Sequence, residues 1–139
     1  MVLKDILAIS GESGLFKYVA QGKNSIVVEQ LETKKRVSVF GSAKVSSLEE
    51  ISVFTTGDDI SLGKVFDNIF EKEKGGVAID SKANSDQLKK YFLEVLPEYD
   101  QHRVYVSDMK KIVQWYNILH KNDLLIKEEE NSGEEAEQN

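Results

Sequence analysis

The sequence predicts an α+β fold. Residues 1–56 read as a small, bent β-sheet or SH3/Sm-like barrel, and residues 57–127 as a mainly helical, winged-helix-like unit. Two observations carry this. Apolar residues recur with a period of two up to about Thr55 and with a period of 3.6 after Gly57-Asp58-Asp59. Between the later helical stretches lie two short extended segments, Val77–Ile79 and Arg103–Val106, placed to pair as a small antiparallel element.

Each element follows from its residues. Leu3, Ile6 and Leu7 share one side of a short helix expected over Val2–Leu7. Leu15–Ala20 follows Gly11 and Gly14 as a strand, and Gln21–Asn24 is a turn with Gly and Asn available for positive φ. Ser25–Leu31 is rich in β-branched residues and reads as the next strand. Glu32–Lys35 is a charged hairpin tip, and Arg36–Phe40 returns as a third strand that Gly41-Ser42-Ala43 breaks. Ile51–Thr55 is a fourth. A barrel needs a fifth strand, from Ala43–Val45 or Ile6–Ile9.

Leu62, Val65, Phe66, Ile69 and Phe70 then follow i, i+3, i+4, i+7, i+8, with Ser61 as N-cap and Lys74-Gly75-Gly76 as the stop. A second helix, capped by Ser85, carries Leu88, Tyr91, Phe92 and Val95 and ends at Pro97. A third, capped by Ser107 with Asp108 at the positive end of its dipole, carries Met109, Ile112, Val113, Tyr116 and Leu119. Asn122-Asp123 ends it. Residues 128–139 hold six Glu and one Ala, with no larger apolar side chain, and are expected to form a disordered acidic tail. The two halves are each small and are expected to pack together.

Charge and composition narrow the function. Forty per cent of the 139 residues are hydrophobic and 30% are charged, which is ordinary for a globular protein. The net charge is −6. Residues 1–56 are +1, residues 57–127 are −1, and the tail supplies the remaining −6. The body therefore has no bulk basic field for nucleic acid. Without cysteine there is no disulfide framework, thiol nucleophile or zinc ribbon. No apolar run approaches the roughly 18 residues of a membrane span, and Met1–Asp5 lacks a signal-peptide layout. A cytoplasmic protein with no membrane association is expected.

The chemistry-bearing motifs read as structural. Gly11-Glu12-Ser13-Gly14 lacks the spacing of a nucleophile elbow and the Gly-Lys-Ser/Thr ending of a phosphate loop. His102 and His120 have no metal-ligand spacing. Asp100, His102 and Ser107 contain the residue types of a triad, but Ser107 is already a helix cap. Asp58-Asp59 is a polar linker before a helix. Phe16 and Tyr18 share a strand face and read as sheet core. No enzyme activity and no cofactor are expected. Trp115 lies just off the Ile112–Tyr116 stripe, where an indole seals an interface or lines a partner-binding groove. Lys34-Lys35-Arg36 is the densest basic run, and phosphate binding there would need help from Lys110 and Lys111 on the third helix. The third helix offers Gln114 and Asn117 but no arginine to read base edges.

Several runs resemble an uncharacterised family of small proteins from bacteroidete bacteria. They are Leu3–Gly11, Gly14–Lys17, Ser47–Val53, Val95–Asp100, Arg103–Ile112 and Trp115–Asn117. The resemblance covers about residues 1–126, with Leu96–Asn117 its most specific part. It implies a two-part protein, β-rich then helical, and a domain of unknown function with no catalytic or ligand residues to carry over. The expected function is a non-enzymatic binding or adaptor protein engaging a protein partner at the sheet loops and the junction around Trp115. The alternative is a nucleic-acid-associated regulator using Lys34, Lys35, Arg36, Arg103, Lys110 and Lys111.

Overall fold

The computed structural model describes residues 1–127; the expected acidic tail lies outside the described residues. The fold is α+β. Strands β1 (Ile6–Ile9), β2 (Phe16–Gly22), β3 (Ser25–Gln30), β4 (Arg36–Phe40) and β5 (Val45–Ser47) form an antiparallel sheet in the order β4-β3-β2-β1-β5. A 3₁₀ turn, Leu48–Glu50, leads to β6 (Ser52–Val53), which pairs with β7 (Ile60–Ser61). Helices α1 (Leu62–Lys72), α2 (Ser85–Val95) and α3 (Val106–Lys121) complete the described chain.

The sheet is not a closed barrel, because β4 and β5 remain separate edges. A register shift between Tyr18 and Ala20 interrupts the β2–β3 pairing. Both candidate fifth-strand segments are used: Ile6–Ile9 is β1, and the chain after Ala43 becomes β5 at Val45. The short helix expected over Val2–Leu7 does not form. Asp5 takes a positive φ of 67°, and β1 pairs on both sides, Ile6 with Lys17 and Leu7 with Phe16 and Ser47. Long-range pairing outweighs the local helical pattern. The expected strand Ile51–Thr55 is cut to β6 and joins the small β6–β7 pair instead of the main sheet.

The sheet separates two apolar clusters. One contains Leu7, Ile9, Phe16 and Val28, with Tyr18, Ile26 and Val39 packed against it. The main core gathers Leu3, Ile6, Leu15, Leu31 and Leu48 with the stripes of all three helices. In α1, Leu62, Val65, Phe66 and Ile69 are fully buried; such side chains each contribute about 1.5–3 kcal/mol through burial. Phe66 meets Tyr116 edge-on, with ring centroids 5.9 Å apart.

The helix starts correct two expectations. Ser61 caps α1, accepting from Lys64 N–H at 3.3 Å. For α2 the cap is Asn84, one residue before Ser85: its Oδ1 accepts from Gln87 N–H at 2.9 Å, and Gln87 Oε1 accepts from Asn84 N–H at 3.2 Å. For α3, Ser107 is exposed inside the first turn. The Asp108 carboxylate takes the terminal donor, accepting from Tyr105 N–H at 2.9 Å.

The winged-helix detail also changes. Val77–Ile79 and Arg103–Val106 do not pair, and neither is a strand. Side chains of α3 satisfy the first segment. Asn117 Oδ1 accepts from Ala78 N–H at 2.7 Å, its Nδ2 donates to Ala78 O and Ile79 O at 3.4 Å, and Tyr116 Oη donates to Gly76 O at 2.9 Å. The second segment is drawn into the start of α3. Ahead of it, Tyr99 forms an isolated bridge with Thr55.

Candidate functional site

Helix α3 places Trp115 half-buried at the junction between sheet and helices. One hollow beside it, of about 240 Å³, has an apolar floor of Ile51, Val53, Val104 and Ile112. Phe54 and Arg103 form its outer wall. Phe54 is 40% exposed, and the guanidinium of Arg103 lies 4.2 Å above its ring. Arg103 Nε also donates to Asp100 Oδ2 at 2.9 Å. That bond, together with the donation from His102 N–H, holds the Asp100 carboxyl below its usual pKa.

A second hollow, of about 620 Å³, adjoins the first and shares Ile51, Lys111 and Trp115 with it. Its other wall is the loop from β1 to β2, where Gly11 and Gly14 take positive φ values of 86° and 81°. Lys44, Ser46 and Gln114 add polar groups. The two hollows form a groove whose floor is apolar and whose rim carries Lys44, Lys111, Glu12 and Asp108.

The basic residues singled out in the sequence fall in two places. Lys34, Lys35 and Arg36 sit at the β3–β4 hairpin tip beside the C-terminal end of α3. Lys34 Nζ donates to Asn122 Oδ1 at 3.2 Å, and Lys121 pairs with Glu32 at 3.5 Å. Lys35 is exposed, and Arg36 Nε pairs with Glu29 Oε1 at 3.1 Å. Lys110 and Lys111 lie near the start of α3, about 18 Å from its C-terminal end at ~1.5 Å rise per residue, and Arg103 precedes the helix. Only Arg103 and Lys111 reach the groove.

The acid–base residue types do not converge. Asp100 engages Arg103 and the backbone of His102, while His120 Nε2 lies 3.1 Å from Gly75 O. Buried Thr55 uses its hydroxyl to donate to Asp58 O at 2.6 Å and to accept from Gly57 N–H at 3.0 Å, which makes Gly57–Asp59 a braced turn. Among the described residues, no group of three or more His, Asp or Glu is placed to hold a metal ion. Among the same residues, no helix is long and apolar enough to cross a membrane.

For the groove, sequence reasoning marked Trp115 but neither Phe54 nor Lys44. The Phe54–Arg103 stack joins residues far apart in the chain, and no local pattern announces it. The spacing of Gly11 and Gly14 was the one local sign of the loop that forms the second wall.

Two family models divide the chain as the groove does. Both are described as a domain of unknown function, DUF5606 over residues 3–48 and DUF6852 over residues 51–119. A solution NMR structure from Bacteroides vulgatus, a structural-genomics target, is 44% identical, covers 88% of this chain and 89% of its own, and superimposes with a TM-score of 0.74. The chain belongs to an uncharacterised family of bacteroidete proteins. A comparison with curated proteins gives no match. The family boundary between residues 48 and 51 falls at the 3₁₀ turn, so the groove is built from both matched regions.

Proposed function

We propose that this protein is a non-enzymatic adaptor that binds a segment of a protein partner in the groove around Trp115. The observation that carries the reading is the adjoining pair of hollows sharing Ile51, Lys111 and Trp115. The smaller hollow suits one large apolar side chain, set against Ile112 and the edge of the indole. The lysines at the rim suit an acidic neighbour of that side chain. An aromatic anchor in a desolvated pocket dominates many interfaces. The separation of the basic residues and the pairing of Arg36 and Arg103 with carboxylates weigh against the nucleic-acid alternative. With two or three phosphates neutralised, its salt slope would be about −2 to −3 and its affinity low at physiological salt.

The test is affinity capture from a native lysate with the full chain, beside Trp115→Ala and Lys34/Lys35/Arg36→Ala variants. Titrations with random duplex and single-stranded nucleic acid run in parallel at about 0.15 M salt. Retention of one partner by the wild type and the hairpin variant, and its loss with Trp115→Ala, is the expected result. Submicromolar nucleic-acid binding that depends on the hairpin tip would replace the adaptor reading with the regulator.

A further inference from the structure

Strand β4 is an outer strand of the sheet, and none of its five residues is buried. Hydrogen bonds on the neighbouring strands fix the direction of its backbone groups. Leu31 N–H donates to Leu15 O at 3.0 Å, and Gln30 N–H donates to Lys35 O at 2.9 Å. Bonding direction alternates along an antiparallel strand. Odd-numbered residues of β3 therefore bond toward β2, and even-numbered ones toward β4. In the register Val28↔Val37 and Ile26↔Val39, Val37 and Val39 of β4 bond to β3. Arg36, Ser38 and Phe40 point their N–H and C=O groups off the sheet. Phe40 O is taken by Ala43 N–H at 2.9 Å; among the described residues, the outward N–H groups of Arg36, Ser38 and Phe40 and the carbonyls of Arg36 and Ser38 form the open edge.

We propose that β4 pairs with β4 of a second copy of this chain, antiparallel about a two-fold axis through Ser38. The strand is self-complementary in that register. Val37-Ser38-Val39 reads the same in both directions, so Ser38 faces Ser38 of the second copy and Val37 faces Val39. Ser38 N–H donates to Ser38 O across the axis, and Phe40 N–H donates to Arg36 O, each in both senses. At the ends, Arg36 faces Phe40. Glu29 already steadies the guanidinium at 3.1 Å, and the Phe40 ring is 61% exposed, so a cation–π pair forms at each end. Val37, 46% exposed, meets Val39 on the other face.

Charge selects this arrangement. Parallel, in-register pairing would set the Lys34-Lys35 runs of two copies side by side, about 4.8 Å apart. The antiparallel register moves the two Lys35 residues about 20 Å apart, at ~3.3 Å per residue, and opposes each to an uncharged turn. A two-fold pairing also uses up the β4 edge, so growth through that strand stops at two copies. The contact is small, below the roughly 1,200 Å² of a stable complex, and its dissociation constant is on the order of tens of micromolar or weaker.

The experiment is sedimentation velocity on the full-length chain from about 5 µM to 1 mM, with amide NMR spectra over the same range. The wild type is expected to shift from monomer to dimer, with concentration-dependent amide shifts confined to residues near 35–41. Ser38→Pro removes an N–H that the sheet's own ladder does not use; it is expected to stay monomeric with a dispersed, wild-type-like spectrum. Phe40→Lys sets a cation opposite Arg36 and is expected to weaken dimerisation by at least about ten-fold. Because Phe40 is exposed, this variant decides the matter if Ser38→Pro does not fold. A wild type that is monomeric throughout overturns the proposal. So does a dimer insensitive to both variants, or concentration-dependent shifts centred on Trp115. Capture of another protein's strand by a chain that never self-associates also overturns it.

Discussion

Asn117 lies on a helix yet does the work of a missing strand. Its side chain meets both the N–H and the C=O of Ala78, so a backbone segment with no sheet partner keeps its hydrogen bonds. Asn117→Leu keeps the branched shape and heavy-atom count and leaves the Ala78 N–H without an acceptor. It is expected to lower stability by about 1–3 kcal/mol in urea unfolding, the scale of an unsatisfied buried group. Nearby, two phenols resist ionisation. Burial, and then the Glu73 carboxylate that accepts the Tyr91 O–H, raise the pKa of Tyr91 far above that of a free tyrosine; burial, with Glu73 adding a smaller effect, pushes Tyr116 up to about 12. Both folded pKa values lie above the unfolded value of about 10. Their stabilising effect is complete below that pH and is lost as the pH rises toward and past 12, because only the unfolded chain releases the protons. Stability measured by urea is expected to be insensitive to these groups below pH ~10 and to fall above it, with a shallower fall in Tyr91→Phe.

At the level of elements, helix starts make a direct comparison. Asn84→Ala breaks a reciprocal cap and is expected to cost about 1 kcal/mol. Ser85→Ala and Ser107→Ala touch no cap and are expected to change stability by less than about 0.5 kcal/mol. Equal losses at Asn84 and Ser85 would contradict the observed capping. These helices were legible in the sequence because their stripes are local: Leu62 to Ile69 and Met109 to Leu119 repeat within a few turns, and the same residues are buried. β1 was half legible: Ile6–Ile9 was one of two candidates for a fifth strand, but Ile6 and Leu7 also satisfy a helical pattern, and only partners at Lys17, Phe16 and Ser47 decide for the strand. Val77–Ile79 looked extended and is not a strand, because its partner is a side chain about forty residues later. The groove was half legible. An indole off its stripe marked Trp115, while Phe54 and Arg103 become neighbours only through tertiary structure.

For the whole molecule, the two matched regions share one core. Met1, Leu3, Ile6, Leu15, Leu31 and Leu48 pack in the same cluster as the helix stripes, and Leu62 N–H donates to Ile51 O at 2.9 Å just past the boundary. A fragment covering residues 57–127 would leave α1 without the 3₁₀ turn and expose its fully buried stripe. Neither that fragment nor residues 1–56 is expected to show a cooperative melt alone, whereas the intact chain should unfold in one transition by helix-sensitive circular dichroism and by NMR of the sheet. A dispersed amide spectrum from either fragment would contradict a shared core.

The chain carries a single tryptophan, and the fold sets it half-buried where the two hollows meet. Its emission is therefore an intrinsic reporter of that surface. Filling the groove should dry the indole and move the emission to shorter wavelength, and acidic additives approaching Lys111 should quench it, with no dye attached. Pairing through β4, on a different part of the sheet, should leave the spectrum unchanged, so one optical signal separates a visitor in the groove from a second copy at the sheet edge.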